Sequence, residues 1–139
     1  MTTMHLDIVS AEEEIFSGSV KNIVAAAMMG EVGIHPKHTP MITPLKPGEI
    51  KVITEDGEEH FIFVSGGVLE VQPDIVTVLA DTAIRGEDLD EAKAAESKKR
   101  AEEALADKND KIDAAKALAE LAQATAQLKM IENLRKISK

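Results

Sequence analysis

The sequence predicts an α+β protein in which an N-terminal antiparallel β domain is followed by a C-terminal pair of antiparallel helices. The first observation is the distribution of turn-forming residues, because all eight glycines and all five prolines lie at or before Gly86. The second is the composition after Gly86, where the strong helix formers Ala, Lys and Glu dominate. These observations predict one domain over residues 1–86 and another over residues 87–139.

Short strands separated by turn residues are predicted before Gly86. Asp56-Gly57 is typical of a tight hairpin because glycine adopts positive φ at little cost, and Gln72-Pro73-Asp74 predicts a second turn. Strands this short and this closely spaced favour a sandwich or a flattened barrel. The predicted strands cover residues 4–10, 20–27, 31–35, 41–45, 49–54, 59–65, 68–72 and 76–80.

Two helices joined by a polar turn are predicted after Gly86. Asp88 is placed to cap the first helix, with Glu91 at the capping-box position, so that helix is predicted over about residues 89–105. The polar residues 106–111 predict the turn, and a second helix is expected from about Ile112 to near the end. A stripe at steps of three and four, apolar except at Thr125, predicts its buried face: Leu118, Leu121, Thr125, Leu128, Ile131, Leu134 and Ile137.

Composition argues against several classes of function. The formal net charge of −9 would repel a phosphate backbone, and three Phe without Trp or Tyr offer few surfaces for base stacking, so nucleic-acid binding is not expected. The absence of cysteine excludes disulfides and thiolate chemistry and fits a reducing cytoplasm. No signal peptide and no membrane span are expected.

No arrangement of residues predicts catalysis or metal binding. His35 and His38 flank Pro36 without a third soft ligand, so a polar loop is favoured over a zinc site. Ser65-Gly66-Gly67 lacks the lysine of a phosphate-binding loop and indicates a tight connection between strands. Glu12-Glu13-Glu14 is more typical of an exposed turn than of a metal site. From the residues alone, we predict a non-enzymatic interaction protein.

Several motifs, in order along nearly the whole chain, resemble one known family. They are His5-Leu6-Asp7-Ile8-Val9-Ser10, Phe16-Ser17-Gly18, the run from Gly30-Glu31-Val32-Gly33-Ile34 to His38-Thr39-Pro40, Lys46-Pro47-Gly48, Val64-Ser65-Gly66-Gly67-Val68, and Val78-Leu79-Ala80-Asp81-Thr82-Ala83. Together they resemble the epsilon subunits of bacterial rotary, proton-translocating ATP synthases.

The resemblance implies a β-sandwich of about ten strands, a two-helix hairpin and a non-catalytic role in the central stalk. The β domain would bind the gamma subunit and the polar loops of the membrane c-ring. Glu31 would lie near the c-ring loops, His38 would face gamma, and Ser10 would lie on the same edge. The protein would then sit peripherally on the cytoplasmic face of the bacterial inner membrane, held there only through the complex.

The resemblance also implies that the hairpin inhibits ATP hydrolysis by extending along gamma into the alpha/beta catalytic head. Over residues 121–139, Lys129, Arg135, Lys136 and Lys139 outnumber the single acid Glu132. Acidic loops of the head would then meet Lys129, Arg135 and Lys136, and Ile131 and Leu134 would bury apolar surface there.

Some members of this family bind ATP on the hairpin through a motif that Leu89, Asp90 and Lys93 only partly match. Lys93 replaces an arginine, and an ammonium group cannot make the forked contact of a guanidinium. We therefore expect no tightly bound cofactor and at most weak ATP binding. The alternative function is a stand-alone β-sandwich adaptor or nucleotide-sensing module with the same architecture.

Overall fold

The structure is a computed structural model that describes residues 2–106 and 114–137. The chain divides into two compact units, Met1–Glu87 and Asp88–Lys139. All strands of the described residues belong to the first unit, and both α-helices belong to the second. The predicted order of a β domain followed by two helices is confirmed. The predicted turn after residue 106 lies outside the described residues.

The first unit contains eight continuous strands among the described residues. Their bounds are β1 (Met4–Ser10), β2 (Glu14–Ala27), β3 (Gly30–Ile34), β4 (Met41–Thr54), β5 (Glu59–Val64), β6 (Gly67–Val71), β7 (Ile75–Ala80) and β8 (Ala83–Arg85). All of their pairings are antiparallel except that of β1 with β7, which is parallel and was not predicted.

The strands form two layers, and the two longest strands take part in both. The first layer has the order β2–β1–β7–β6–β4 and uses the N-terminal halves of β2 and β4. The second layer has the order β3–β2–β4–β5–β8 and uses their C-terminal halves. The resemblance implied about ten strands, whereas the described residues form eight continuous strands. The difference arises because β2 and β4 each supply one segment to each layer.

The passage of β4 between the layers corrects the prediction of separate strands at 41–45 and 49–54. Pro44 lies in the half of β4 at the edge of the first layer, where a missing N–H group interrupts no ladder. Gly48 lies at the passage, and an added Cβ there would come within 2.7 Å of the Ala26 Cβ. Two small residues therefore let the adjacent strands cross closely.

The core lies between the two layers and follows the alternation of the strands. Along β1 the buried residues are Met4, Leu6 and Ile8, whereas the residues between them reach solvent. Full burial of a large aliphatic side chain stabilises a fold by about 1.5–3 kcal/mol. The completely buried aliphatic residues of this core include Leu6, Ile8, Ile23, Ile34, Ile50 and Leu69.

The second unit begins with a cap that differs from the predicted one. A short 3₁₀ turn covers Gly86–Asp88, and α1 (Glu91–Ala106) follows. The Asp90 carboxylate accepts a hydrogen bond from the Lys93 amide at 3.1 Å, and the Asp90 carbonyl accepts one from the Ala94 amide at 3.0 Å. Asp90, rather than Asp88, is therefore the N-cap, since the 3₁₀ turn takes up Asp88.

The second helix, α2 (Ala114–Ile137), buries a face that is rotated from the predicted one, although Leu121, Leu128, Ile131 and Leu134 of the predicted stripe are partly buried. Leu118 is 57% exposed, whereas Ala117, Ala124 and Met130 are buried. Two alanines seven residues apart occupy buried positions of α2. The sequence prediction was based on larger side chains and did not include them. Within the described residues, no helix combines the length and apolar composition that a membrane span requires.

Candidate interaction surfaces

The turn between β2 and β3 presents an apolar tip next to Glu31. Met29 is 96% exposed and Met28 is 58% exposed, and we call Met28 to Glu31 the hairpin tip. Glu31 lies on β3, at the edge of the second layer, opposite Ala26 of β2. The structure thus places Glu31 at the end of an exposed hairpin, beside two flexible apolar side chains that the sequence analysis did not single out.

Glu49 is a second acidic residue near this surface, and the sequence analysis missed it. Burial raises the pKa of the Glu49 carboxyl above its ordinary value; Lys51 opposes this rise and repulsion from Glu31 adds to it. Glu49 follows Gly48, where β4 passes into the second layer. Glu49 is brought to this surface by the crossing of two long strands, β2 and β4. The sequence alone does not reveal that crossing.

His38 lies in a loop that is tied to the neighbouring β6–β7 turn. Lys37 has a φ of 68°, its amide donates to the Pro73 carbonyl at 2.9 Å, and its Nζ donates to Asp74 Oδ1 at 2.5 Å. The His38 Nδ1 hydrogen-bonds the Thr39 carbonyl at 2.7 Å. Within 2–106 and 114–137, no group of three or more His, Cys, Asp or Glu is placed to hold a metal ion.

Ser10 organises the turn between β1 and β2. Its hydroxyl accepts from the amides of Glu12 and Glu13 at 3.4 and 3.3 Å and lies 3.3 Å from the Glu13 carbonyl. This local ring of hydrogen bonds accounts for a serine at the end of β1. Its predicted role at a partner-facing edge remains a prediction, and so do those of Glu31 and His38.

A polar cluster of His5, Asp7 and Ser17 lies on the solvent-facing side of the first layer. The Ser17 hydroxyl donates to Asp7 Oδ1 at 2.7 Å, and His5 Nε2 lies 2.9 Å from the same oxygen. The hydrogen bond from Ser17 is the main cause that lowers the pKa of Asp7. In a nucleophilic triad the histidine contacts the serine through one ring nitrogen and the carboxylate through the other. Here the same nitrogen, His5 Nε2, lies 3.3 Å from the Ser17 hydroxyl and 2.9 Å from Asp7 Oδ1, so the cluster does not have the triad geometry.

Apolar side chains lie beside this cluster on the same layer. Val68 of β6 is paired with Pro44 of β4 on one side and with Leu79 of β7 on the other. Ile42 is 72% exposed, and Ile75, Leu79 and Val68 are exposed as well. We call Ile42, Pro44, Val68, Ile75 and Leu79 the exposed strip. Exposed apolar side chains gathered on one face of a sheet are typical of an interaction site.

The predicted head-contacting residues lie on the last turns of α2. Lys129 is exposed, Ile131 and Leu134 are partly buried, and Arg135 and Lys136 are exposed. Lys136 pairs with Glu132 of the same helix at 3.6 Å, whereas Arg135 pairs with Glu91 at the start of α1. The structure therefore gives Arg135 a partner on the other helix, which the sequence analysis did not predict.

The predicted nucleotide-contacting residues lie apart from the groove between the helices. Asp90 is occupied as the cap of α1, Leu89 precedes it, and Lys93 is exposed in the first turn. A groove of about 240 Å³ opens further along, and Arg100 is the only cation among the residues that line it. The lining consists of Ser97, Arg100, Glu120, Gln123, Ala124 and Gln127. One guanidinium opposed by a carboxylate is a poor site for a polyphosphate.

Comparison with known proteins identifies the same family over both units. Residues 3–86 match the family described as ATP synthase, Delta/Epsilon chain, beta-sandwich domain, and residues 87–132 match its long alpha-helix domain. The ATP synthase epsilon chain of Nitrosococcus oceani is 63% identical over 134 residues, 96% of each chain. That of Thioalkalivibrio sulfidiphilus is 60% identical over 135 residues, again 96% of each chain. The resemblance inferred from the motifs is confirmed.

Two solved structures share the fold at low sequence identity. A chain of the Euglena gracilis mitochondrial ATP synthase, solved as OSCP/F1/c-ring, superimposes with a TM-score of 0.72 at 23% identity, covering 100% of this chain and 83% of that one. A chain of the Tetrahymena thermophila mitochondrial ATP synthase central stalk/c-ring gives a TM-score of 0.61 at 14% identity, covering 94% and 97%.

Proposed function

Since this chain belongs to the family of ATP synthase delta/epsilon chains, we propose that it is a non-catalytic central-stalk subunit of a rotary, proton-translocating ATP synthase. The observation that carries the proposal is the match of both family domains, in order, over residues 3–132. The subunit would lie on the cytoplasmic face of the bacterial inner membrane and reach the membrane only through the complex. Co-purification with a membrane-bound ATPase tests this, and its absence would favour the stand-alone adaptor.

We propose that the β domain joins gamma to the c-ring through two of its surfaces. The exposed strip supplies apolar area for gamma, flanked by the polar cluster and by the loop that carries His38. The hairpin tip supplies Glu31 for the polar loops of the c-ring and Met29 for apolar contact beside them. A subunit that transmits torque needs an interface of at least standard size, roughly 1,600 Å² in total.

The interface proposal is tested by charge reversal at the hairpin tip. Glu31→Lys should reduce ATP-driven proton pumping relative to ATP hydrolysis in inverted membrane vesicles, because the c-ring contact is lost while the catalytic head still works. His38→Ala should weaken the gamma contact and lower the same ratio. Glu55→Lys, which reverses an exposed acid in the β4–β5 turn, is the matched control. Normal pumping in both test variants would refute the assigned roles.

We further propose that the hairpin acts as a brake on hydrolysis by opening and extending into the catalytic head. Four of the five buried residues described in α1 and α2 are alanines, the fifth being Met130, and each alanine buries about one methyl group, worth roughly 0.8 kcal/mol or less. The 24 residues of α2 would reach about 36 Å, long enough to enter the head. At that end Lys129, Arg135 and Lys136 present positive charge to acidic loops.

Truncation tests the brake directly. A chain that ends at Gly86 retains every strand described here. It should therefore still assemble and support ATP synthesis, while ATP hydrolysis by the complex should rise. If the truncated complex assembles and hydrolyses ATP no faster than the intact one, the hairpin is not the brake. No cofactor is required for this mechanism.

A further inference from the structure

The two helices of the second unit meet along a seam of small side chains. Ala94 and Ala101 of α1 and Ala117 and Ala124 of α2 are between 1% and 5% exposed. Within each helix the two alanines are seven residues apart, which places them on one face after two turns. Ala124 borders the groove formed with Ser97 and Arg100 of α1. These alanines let the helices approach closely and bury little apolar area, and Met130 of α2, 2% exposed, is the larger side chain buried with them.

One ion pair bridges the helices at the end away from the connecting segment. Arg135, two residues before the end of α2, pairs with Glu91, the first residue of α1. In the part of the chain that the structure describes, the other helical ion pairs, Glu96–Arg100 and Glu132–Lys136, each join residues of a single helix. Among the described residues, the Glu91–Arg135 pair is thus an ion pair between the helices that must break when this end of the hairpin opens.

The position of Glu91 suits it to hold Arg135. Asp90 caps α1 through the Lys93 amide, which fixes the backbone on which Glu91 stands. The guanidinium binds a carboxylate as a planar donor and keeps its charge at every physiological pH. Both side chains remain more than half exposed, so partner residues and salt can compete for them.

We propose that Glu91 and Arg135 form a latch that keeps the hairpin closed and withholds Arg135 from the catalytic head. The proposal rests on the brake described above. When the hairpin opens, Arg135 would exchange its contact with Glu91 for a contact with the acidic loops of the head. One guanidinium cannot serve both partners at once. Glu91 and the head therefore compete for Arg135, and loss of Glu91 favours the inhibitory state.

Opening can be measured on the isolated full-length chain because the sequence contains no cysteine. In an Ala101→Cys background the thiol is buried, and its reaction with a disulfide reagent reports how often the hairpin opens. Glu91→Gln should raise the reaction rate about 1.4- to 5-fold, the range that measured exposed ion pairs correspond to. Glu96→Gln removes the same charge from a pair within α1 and should leave the rate unchanged.

A charge exchange separates the ion pair from other effects of the substitution. Arg135→Gln should raise the thiol reaction rate as Glu91→Gln does. The double variant Glu91→Arg with Arg135→Glu should return the rate toward that of the unmodified pair, because opposite charges again face each other. If Glu91→Gln reacts no faster than Glu96→Gln, or if the exchange restores nothing, the latch is overturned whatever the complex does.

The assembled complex then shows what the latch controls. Glu91→Gln should lower ATP hydrolysis by favouring the inhibitory state, whereas Arg135→Gln should not lower it, because that variant also loses the contact with the head. Faster thiol reaction together with lower hydrolysis in Glu91→Gln supports the complete proposal. Faster thiol reaction with unchanged hydrolysis supports the latch as a contact and overturns the proposed brake.

Discussion

Replacing Gly67 with alanine would place a methyl group where the neighbouring strand already lies. Gly67 has a φ of 140°, and a Cβ built on it would lie 2.1 Å from the Leu79 carbonyl oxygen and 2.9 Å from the Ala80 Cα. All of these atoms belong to the backbone of β7, which pairs with β6 in the first layer. No side-chain rotation can relieve the overlap, so the two strands would have to separate.

Two other glycines allow the contributions of backbone strain and of steric overlap to be measured separately. Gly30 has a φ of 126° but no atom within 4 Å of an added Cβ, so Gly30→Ala measures backbone strain, about 1–3 kcal/mol. Gly33 has neither a positive φ nor a close neighbour, so Gly33→Ala should change stability by no more than about 1 kcal/mol. Gly67→Ala carries both penalties and should exceed about 4 kcal/mol, a size reached only through a specific structural conflict.

Urea unfolding followed by NMR of buried methyl groups is the suitable assay. The chain has no Trp or Tyr for fluorescence, and the methyl groups of Leu69 report the sandwich alone. With a typical urea dependence of about 2 kcal/mol per molar, Gly67→Ala should lower the midpoint by about 2 M or leave the sandwich unfolded. A midpoint for Gly67→Ala equal to that of Gly30→Ala would refute the argument from close approach.

Three further predictions concern the cap, a carboxyl group and the nucleotide. Asp90→Ala should destabilise α1 by about 1 kcal/mol through loss of the hydrogen bond from the Lys93 amide, measured by thermal unfolding at 222 nm, and Asp88→Ala should have little effect; equal effects would argue against Asp90 as the cap. Ser17→Ala should raise the pKa of Asp7 in a carboxyl NMR titration. The folded pKa lies below the ordinary 3.8, so the associated stability is present above that pH and is lost as the pH falls through the folded pKa; an unmoved titration would contradict the assigned cause. Isolated protein should bind ATP weakly or not at all by calorimetry, and Lys93→Arg should bind more tightly; micromolar affinity of the unaltered chain would refute this.

The boundaries of most strands follow from turn residues, and the exceptions share a physical cause. The first half of β2 has the sequence Glu14 to Ser19, which is short of β-branched residues and has a glycine at position 18. It is a strand because β1 pairs with it over Met4 to Ile8, a contact between segments that sequence periodicity cannot detect. Strand β8 has three residues and depends in the same way on β5.

The buried face of α2 shows a different limit of sequence reasoning. A stripe of leucines predicts burial when a helix packs on a large apolar surface. Here the partner is another helix at close approach, and Ala117 and Ala124 are buried together with Met130 while Leu118 reaches solvent. The pairing of Glu91 with Arg135 could not be predicted from the sequence either, because residues 44 apart can be matched only once the register of the hairpin is known.

The two strands that run through both layers have a mechanical consequence. Sheets that touch only through side chains resist sliding by apolar contacts, which have no preferred direction. In this protein β2 and β4 continue from one layer into the other, so a twisting force on the exposed strip passes to the second layer along covalent backbone. Strand β2 ends at the hairpin tip. A load applied at either surface therefore has a path to the other along the backbone of β2 and β4, in addition to the packing of the core.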